Sequence, residues 1–259
     1  MGLKNIQNTF AQKKGTAFMP FLVAGYPDFE TSVKITKILV ENGADALEVG
    51  IPFSDPLADG PTIQAADVKA IENGMTPVKA FRLVKEIRKF SKVPIVIMCY
   101  ANAITTFPGD FYKEAAKNGV DGVLVADVCL EEIKPFAQKA KINGLANVMI
   151  ISPNTSLNRI KQIGKQSSGF LYVVSVMGVT GERKDAMKTA IALALRAKKA
   201  TRLPTCIGFG ISTPAQVKQL RSNHVDGAIV GSALIAKIRD KNYKALKVLA
   251  KQMNIEAKK

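Results

Sequence analysis

NGADALEVG (42–50), NGVDGVLVAD (118–127) and NHVDGAIVG (223–231) are three copies of one pattern. In each, a helix-period stretch runs into Asn-Gly or Asn-His, an Asp follows two residues on, and a short apolar run begins. Glycine in the second position suits the left-handed residue that closes a helix. An apolar run without polar alternation reads as a parallel strand buried on both faces. Filling in between these anchors gives eight such runs: 18–24, 46–50, 94–100, 122–126, 147–152, 170–175, 205–210 and 227–231. Helix-period segments lie between them, among them 30–41, 77–90, 131–141 and 185–198, with Pro77 marking a start and Asn42-Gly43 a stop. Strands alternating with helices predict parallel βαβ units, and eight units in 259 residues predict a closed barrel. The expected fold is therefore α/β, a single (β/α)8 TIM barrel over residues 1–259. An extra N-terminal helix, 3–13, covers its floor.

Composition narrows the function classes. No window approaches the roughly 18 uninterrupted apolar residues of a membrane span. The N-terminus has neither the apolar core nor the cleavage site of a secretory signal. Three scattered cysteines, Cys99, Cys129 and Cys206, fit reduced thiols in a cytoplasm. With His224 as the only histidine, a histidine-based metal site is not expected. Lys+Arg number 37 against 21 Asp+Glu, a net charge of +16. These cations are spread over the polar faces of helical stretches such as FRLVKEIRKFSK (81–92), with no Arg-rich, aromatic-interleaved tract. The expectation is a solvated basic surface rather than a nucleic-acid site.

Barrel chemistry collects where strands end and the following loops begin. The last two strands end in GFG (208–210) and GS (231–232), and the loop after the sixth carries Gly178-Val179-Thr180-Gly181. Glycines let backbone N–H groups approach anion oxygens, and Ser232 adds a hydroxyl at the first turn of a helix. Three such turns at neighbouring strand ends predict a phosphate site for a small phosphorylated ligand. The second strand ends in EVGIPFSDPLADGPTIQ (48–64). A Glu in a buried strand is costly unless paired or functional. The adjoining strands carry no Lys or Arg, so desolvation is expected to raise Glu48 toward a proton-donor role near neutral pH. Asp59 fits either a cap for the helix starting near Pro61 or a second carboxylate at the same mouth. Asp55 reads as a turn residue.

Segment 48–64, with MPFLVAGYPDFETS (19–32), YAN (100–102), VADV (125–128), GVTG (178–181), GFGIS (208–212) and VGS (230–232), resembles the tryptophan synthase alpha subunit family over essentially the whole length. The resemblance implies cleavage of indole-3-glycerol phosphate to indole and glyceraldehyde 3-phosphate. It implies Glu48 as the acid/base at the indole carbon and the glycerol hydroxyl, and Asp59 as the acceptor of the indole N–H. Tyr172 matches a tyrosine beside the substrate. Phe21, Met98, Tyr100 and Leu124 match the indole pocket, although plain barrel core describes them equally well. Gly181, Phe209, Gly210, Gly231 and Ser232 match the phosphate end, and Thr180 a loop threonine that meets the catalytic Asp. Val176 and Met177 stand where many members carry an Arg. No cofactor is implied in this chain. Pyridoxal phosphate is expected only in a partner beta subunit, within an alpha2beta2 tetramer that receives the indole.

Four other readings exist. One is a free-standing indole-releasing lyase that works without a beta partner. A different phosphate-binding barrel would share the GFG and GS ends but not segment 48–64. A subunit that serves mainly to activate a partner would not need an intact Glu48 and Asp59. A nucleic-acid role rests on net charge alone.

Overall fold

The structure is a computed structural model that describes residues 2–57, 59–174 and 183–259, the side chains of 183–185 excepted. Eight parallel strands close into a barrel in sequence order. They are β1 (Ala17–Val23), β2 (Leu47–Gly50), β3 (Ile95–Cys99), β4 (Gly122–Val125), β5 (Ala146–Ile151), β6 (Leu171–Val174), β7 (Thr205–Gly208) and β8 (Gly227–Val230). Around them run α1 (Leu3–Gln12), α2 (Phe29–Glu41), α3 (Pro61–Glu72), α4 (Pro77–Arg88), α5 (Ala101–Thr105), α6 (Phe111–Lys117), α7 (Lys134–Ile142), α8 (Leu157–Gln166), α9 (Arg183–Thr201), α10 (Pro214–Ser222), α11 (Ser232–Arg239) and α12 (Tyr243–Lys258). All eight expected strands are present, within one or two residues of their expected ends. Their two-sided burial is the reason: nearly every strand residue is buried, so the apolar runs carry no alternation to misread.

One helix starts later than its periodicity suggests. The expected helix at 131–141 is α7, and it begins only at Lys134. Pro135 sits in its first turn, where a missing N–H costs nothing; further inside, the ring would clash with the preceding turn.

The threefold repeat is a structural device at the barrel floor. The residues after the helix-ending asparagines, Gly43 (φ 95°), Gly119 (φ 95°) and His224 (φ 58°), are left-handed as anticipated. Each following Asp then grips the preceding odd-numbered strand. Asp45 N–H donates to the Phe18 carbonyl (2.9 Å) and its Oδ2 accepts from Phe18 N–H (2.7 Å). Asp121 does the same with Ile95 (2.8 and 2.9 Å), and Asp226 with Thr205 (3.0 and 3.0 Å). Ser168 takes the corresponding role before β6: it donates to the Asn147 carbonyl (2.8 Å) while its Oγ accepts from Asn147 N–H (2.9 Å). Every even-numbered strand is thereby locked in register to its predecessor.

Each of these three Asp residues also meets a cation: Lys258 for Asp45, Arg88 for Asp121, Lys13 and Lys198 for Asp226. Helix α1 closes the floor, its end held by Gly2 N–H on Asp121 Oδ1 (2.6 Å) and Leu3 N–H on the Gly144 carbonyl (2.8 Å). Ile6 plugs the space beneath β4, where a Cβ on Gly122 would come within 3.1 Å of its Cδ1.

Asp121 is the most heavily used of these floor residues. It is fully buried and takes Arg88, two backbone N–H groups and Asn5 Nδ2, while Arg88 also donates to the Gly119 and Val93 carbonyls. Removing one member of such a pair strands the other charge. Asp121→Ala is therefore expected to lose about 3–5 kcal/mol of stability in denaturant titration. A loss below about 1 kcal/mol would mean that the floor device does not hold the barrel.

Candidate active site

Glu48 lies on β2, in register with Phe21 on β1 and Val96 on β3, so neither flanking partner is a cation. It is 1% exposed, and neither carboxyl oxygen has a hydrogen-bond partner among the described residues. A carboxylate in that position would be desolvated without compensation. Burial first, and the charge of Asp59 second, push Glu48 from the ordinary glutamate range up to about 8. At neutral pH it is a carboxylic acid with a proton to give.

Asp59 reaches the same mouth from the β2–α3 loop. It does not cap α3: the N-cap is Gly60, and no side chain caps it. Instead Tyr100, just past β3, donates its hydroxyl to Asp59 Oδ2 (2.9 Å). Burial raises Asp59 while the Tyr100 hydrogen bond pulls it back down, so of the two acids it ionises first. Phe53, from the same loop, stacks on Tyr100 with ring centroids 4.8 Å apart. Gln64 on α3 donates to the Asp59 carbonyl (2.9 Å). Asp55 is an exposed turn residue that accepts from Ser54 Oγ.

The pocket wall is built from large side chains laid over glycines. A Cβ on Gly50 would stand 2.8 Å from Phe21 Cζ, and one on Gly208 would stand 2.0 Å from the Tyr172 hydroxyl oxygen. Only glycine at 208 lets Tyr172 lie across β7, where its ring meets Phe209 edge-on at 6.0 Å. Burial first, then the charges of Glu48 and Asp59, raise the Tyr172 phenol well above its usual range, so it stays a neutral donor beside the acid pair. Phe21, Met98, Tyr100 and Leu124 are all buried, which fits pocket lining and barrel core alike.

At the glycine end, Phe209 (φ 64°) and Gly210 (φ 79°) are consecutive left-handed residues, a strained turn for a phenylalanine. Gln216 holds this turn from α10: its Nε2 donates to the Gly210 carbonyl (3.1 Å), and its Oε1 accepts from Ser212 N–H (2.8 Å). Nearby, α11 starts at Ser232 behind Gly231. No side chain caps it, and no acidic residue lies in its first turn. Its open N–H groups and positive dipole end suit an anion. Thr180 and Gly181, with Val176 and Met177, lie outside the described residues. Among the described residues no group of three His, Cys, Asp or Glu side chains is arranged to hold a metal ion. No helix among them is long and apolar enough to cross a membrane.

Three residues of this neighbourhood were not singled out from the sequence. Phe53 and Gln64 carry no signal before their partners are known. Asp67 does: Ile63, Ala66, Asp67 and Ala70 share one helical face, which places a carboxyl on an apolar stripe.

A closed barrel with a proton-bearing acid in its wall, an ionising partner at its mouth and backbone donors at the last two strands defines a (β/α)8 barrel with a candidate acid–base site at the ends of its strands. The sequence profile described as Tryptophan synthase alpha chain matches residues 7–259, and the chain belongs to that family of tryptophan-biosynthetic lyases. It is 47% identical over 227 residues to the tryptophan synthase alpha chain of Methanothermobacter thermautotrophicus, covering 87% of this chain and 84% of the relative. The alpha chain of Petrotoga mobilis is 43% identical over 231 residues, 89% of either chain. Among solved structures, the Pyrococcus furiosus alpha subunit superposes with a TM-score of 0.85 at 39% identity, over 93% of this chain and 98% of that one. A Mycobacterium tuberculosis tryptophan synthase chain gives 0.88 at 29% identity, over 99% and 97%.

Burying Glu48 has a stability consequence. Its folded-state pKa lies above its unfolded value, so the folded protein keeps a proton that the unfolded chain releases. Stability is therefore lost as pH rises from about 4.5 to about 8. Glu48→Gln, which carries no proton to lose, should be more stable than the wild type at pH 8, by on the order of a few kcal/mol and with a higher melting temperature, the gap closing toward pH 4.5. A gap independent of pH, or a lower melting temperature at pH 8, would contradict the assigned protonation state.

Proposed function

We propose that this chain cleaves indole-3-glycerol phosphate by a retro-aldol step, with Glu48 and Asp59 as its acid–base pair. Breaking the bond between indole C3 and the glycerol carbon needs an electron sink, and protonation at C3 turns the indole into one. Glu48 gives its proton to C3. The positive charge that develops at N1 is met by the Asp59 carboxylate, which accepts the N1–H hydrogen bond. As the glycerol hydroxyl gives up its proton to the Glu48 carboxylate, a carbonyl forms, the C–C bond breaks, and its electrons return to the indole ring. The products are indole and glyceraldehyde 3-phosphate, and Glu48 has its proton back. Glu48 makes both proton transfers and Asp59 meets the charge at N1, so the cycle needs no metal or organic cofactor from this chain. The substrate phosphate is assigned to the Phe209–Gly210 turn, Gly231 and Ser232. Phe21, Met98, Tyr100, Leu124 and Tyr172 surround the ring.

The observation that carries this reading is the buried, unpartnered Glu48 carboxyl, raised to about 8 opposite an Asp59 that ionises first.

The same loop supports a partner. Leu57 is 94% exposed at its tip, and Asp55 is exposed beside it, while Asp59 two residues further on is buried. Pro52, Pro56 and Pro61 stiffen the loop, so pressure on its outer side reaches Asp59. A beta subunit carrying pyridoxal phosphate, seated here in an alpha2beta2 assembly, would receive the apolar indole directly.

One assay tests both halves: indole release from indole-3-glycerol phosphate, with and without added beta subunit. Glu48→Gln should lose roughly 10²-fold or more in kcat. Asp59→Asn should fall likewise while still binding glycerol phosphate. The beta subunit should raise the wild-type rate, and Asp55→Ala should blunt that rise more than the basal rate. Near-wild-type turnover by Glu48→Gln would remove the acid assignment. Equal losses by Asp55→Ala in both conditions would remove the partner from the loop.

A further inference from the structure

The site holds a third buried carboxyl that the proposed chemistry does not use. Asp67 is 4% exposed on the inward stripe of α3, and no described group donates a hydrogen bond to it. Helix α3 packs on β1 and α11. Strand β1 carries no titratable side chain, and α11 offers only Lys237 and Arg239. On α3 itself, Lys69 and Glu72 pair with each other at the surface (3.1 Å). The charge that acts on Asp67 is that of Asp59. Helix α3 is also the element that pins Asp59, since Gln64 holds the Asp59 carbonyl and the helix begins two residues later. Glu48, Asp59 and Asp67 are thus a trio of buried carboxyls in which the Asp59 charge acts on each of the other two, and no described Lys or Arg pairs with any member.

We propose that Asp67 is a positioning residue for Asp59: with its proton on, it keeps the mouth at a single negative charge carried by Asp59, and its ionisation, together with that of Glu48, ends activity on the alkaline side. The inference rests on the acid–base reading of Glu48 and Asp59.

The order of proton loss follows from the surroundings. Tyr100 donates to Asp59 and so favours its ionised form. No described group donates to the other two, and burial followed by the Asp59 charge raises each of them to about 8. Asp59 is therefore the charged member while the other two keep their protons. Above about 8 Asp67 acquires a charge on the core face of α3, next to an Asp59 already charged. The two carboxylates repel, and among the described residues the Asp59 carboxylate is held by the Tyr100 hydrogen bond, while its backbone is held by Gln64 at the carbonyl and by its own N–H on the Pro56 carbonyl (3.0 Å). Asp59 leaves its place beside the indole nitrogen while Glu48 loses the proton it must donate. Because the groups interact, their steps appear as macroscopic values of the cluster. The alkaline limb should accordingly follow two protons rather than one.

The test is kcat/KM for indole-3-glycerol phosphate cleavage between about pH 6 and about pH 10, for the wild type and Asp67→Asn. The amide keeps the shape of the protonated acid but has no proton to lose. Wild-type log kcat/KM should fall toward a slope of two per pH unit and the variant toward a slope of one. One pH unit beyond the break, Asp67→Asn should therefore keep about ten times more of its own neutral-pH activity than the wild type keeps. Loss of packing alone would lower the whole curve without changing its steepness. Superimposable curves overturn the proposal, as does a wild-type slope of one, a result that decides the matter even if the variant fails to fold. Glu48→Gln assayed at neutral pH separates the two ideas. Turnover in that variant removes Glu48 as the acid, whereas an inactive Glu48→Gln beside unchanged Asp67→Asn curves removes only the role of Asp67.

Discussion

A carboxyl group in the wall of a closed barrel, 1% exposed and flanked in register by Phe21 and Val96, has no cation among the described residues to stabilise its charge. It keeps its proton instead. The rest of the site follows from that constraint. The counterpart that must be ionised cannot come from the barrel wall, where the same penalty applies. It comes from the β2–α3 loop, where Tyr100 donates a hydrogen bond to it. Glu48 and Asp59 differ by one methylene, and their surroundings keep the proton on the first and favour the charge on the second, as the proposed chemistry requires.

The two ends of the barrel contrast sharply in how they treat polar groups. At the floor, Asp45, Asp121 and Asp226 are paired with cations and bonded to backbone, and α1 covers them. At the mouth, Glu48 lacks a hydrogen-bond partner among the described residues, Phe209 adopts a left-handed backbone, and no side chain caps the start of α11. Unsatisfied and strained groups are not confined to the mouth, since Asn147 Oδ1, Thr205 Oγ1 and the left-handed His224 lie at the floor, but at the mouth they stand where a ligand can use them. Gly208 belongs to the same end: its missing side chain is what admits the Tyr172 ring.

Much of this was legible in the sequence because the relevant signals are local. A strand buried on both faces shows as an apolar run, and Asn-Gly marks a left-handed helix end, so the strands and the repeat could be read directly. Glu48 stood out for the same reason, as a charge inside an apolar run. Asp59 left two roles open, because the choice between helix cap and site acid depends on Tyr100, 41 residues away in sequence. The repeat's Asp residues carried no visible purpose, since each acts on a strand in the preceding unit. Asp67 was missed although its helical spacing from Ile63 and Ala70 put it on a buried face. Attention to strand ends passes over a helix interior. For Thr180 and Gly181 the reading remains that of the sequence.

A carboxyl carbon NMR titration of the glutamate-labelled wild type, with Glu48→Gln identifying the resonance, reads the protonation state of Glu48 itself. The Glu48 midpoint is expected near 8, with a small earlier inflection as Asp59 ionises. A midpoint in the ordinary glutamate range, about 4.3, would mean that Glu48 is charged at neutral pH and is not the acid that protonates the indole ring.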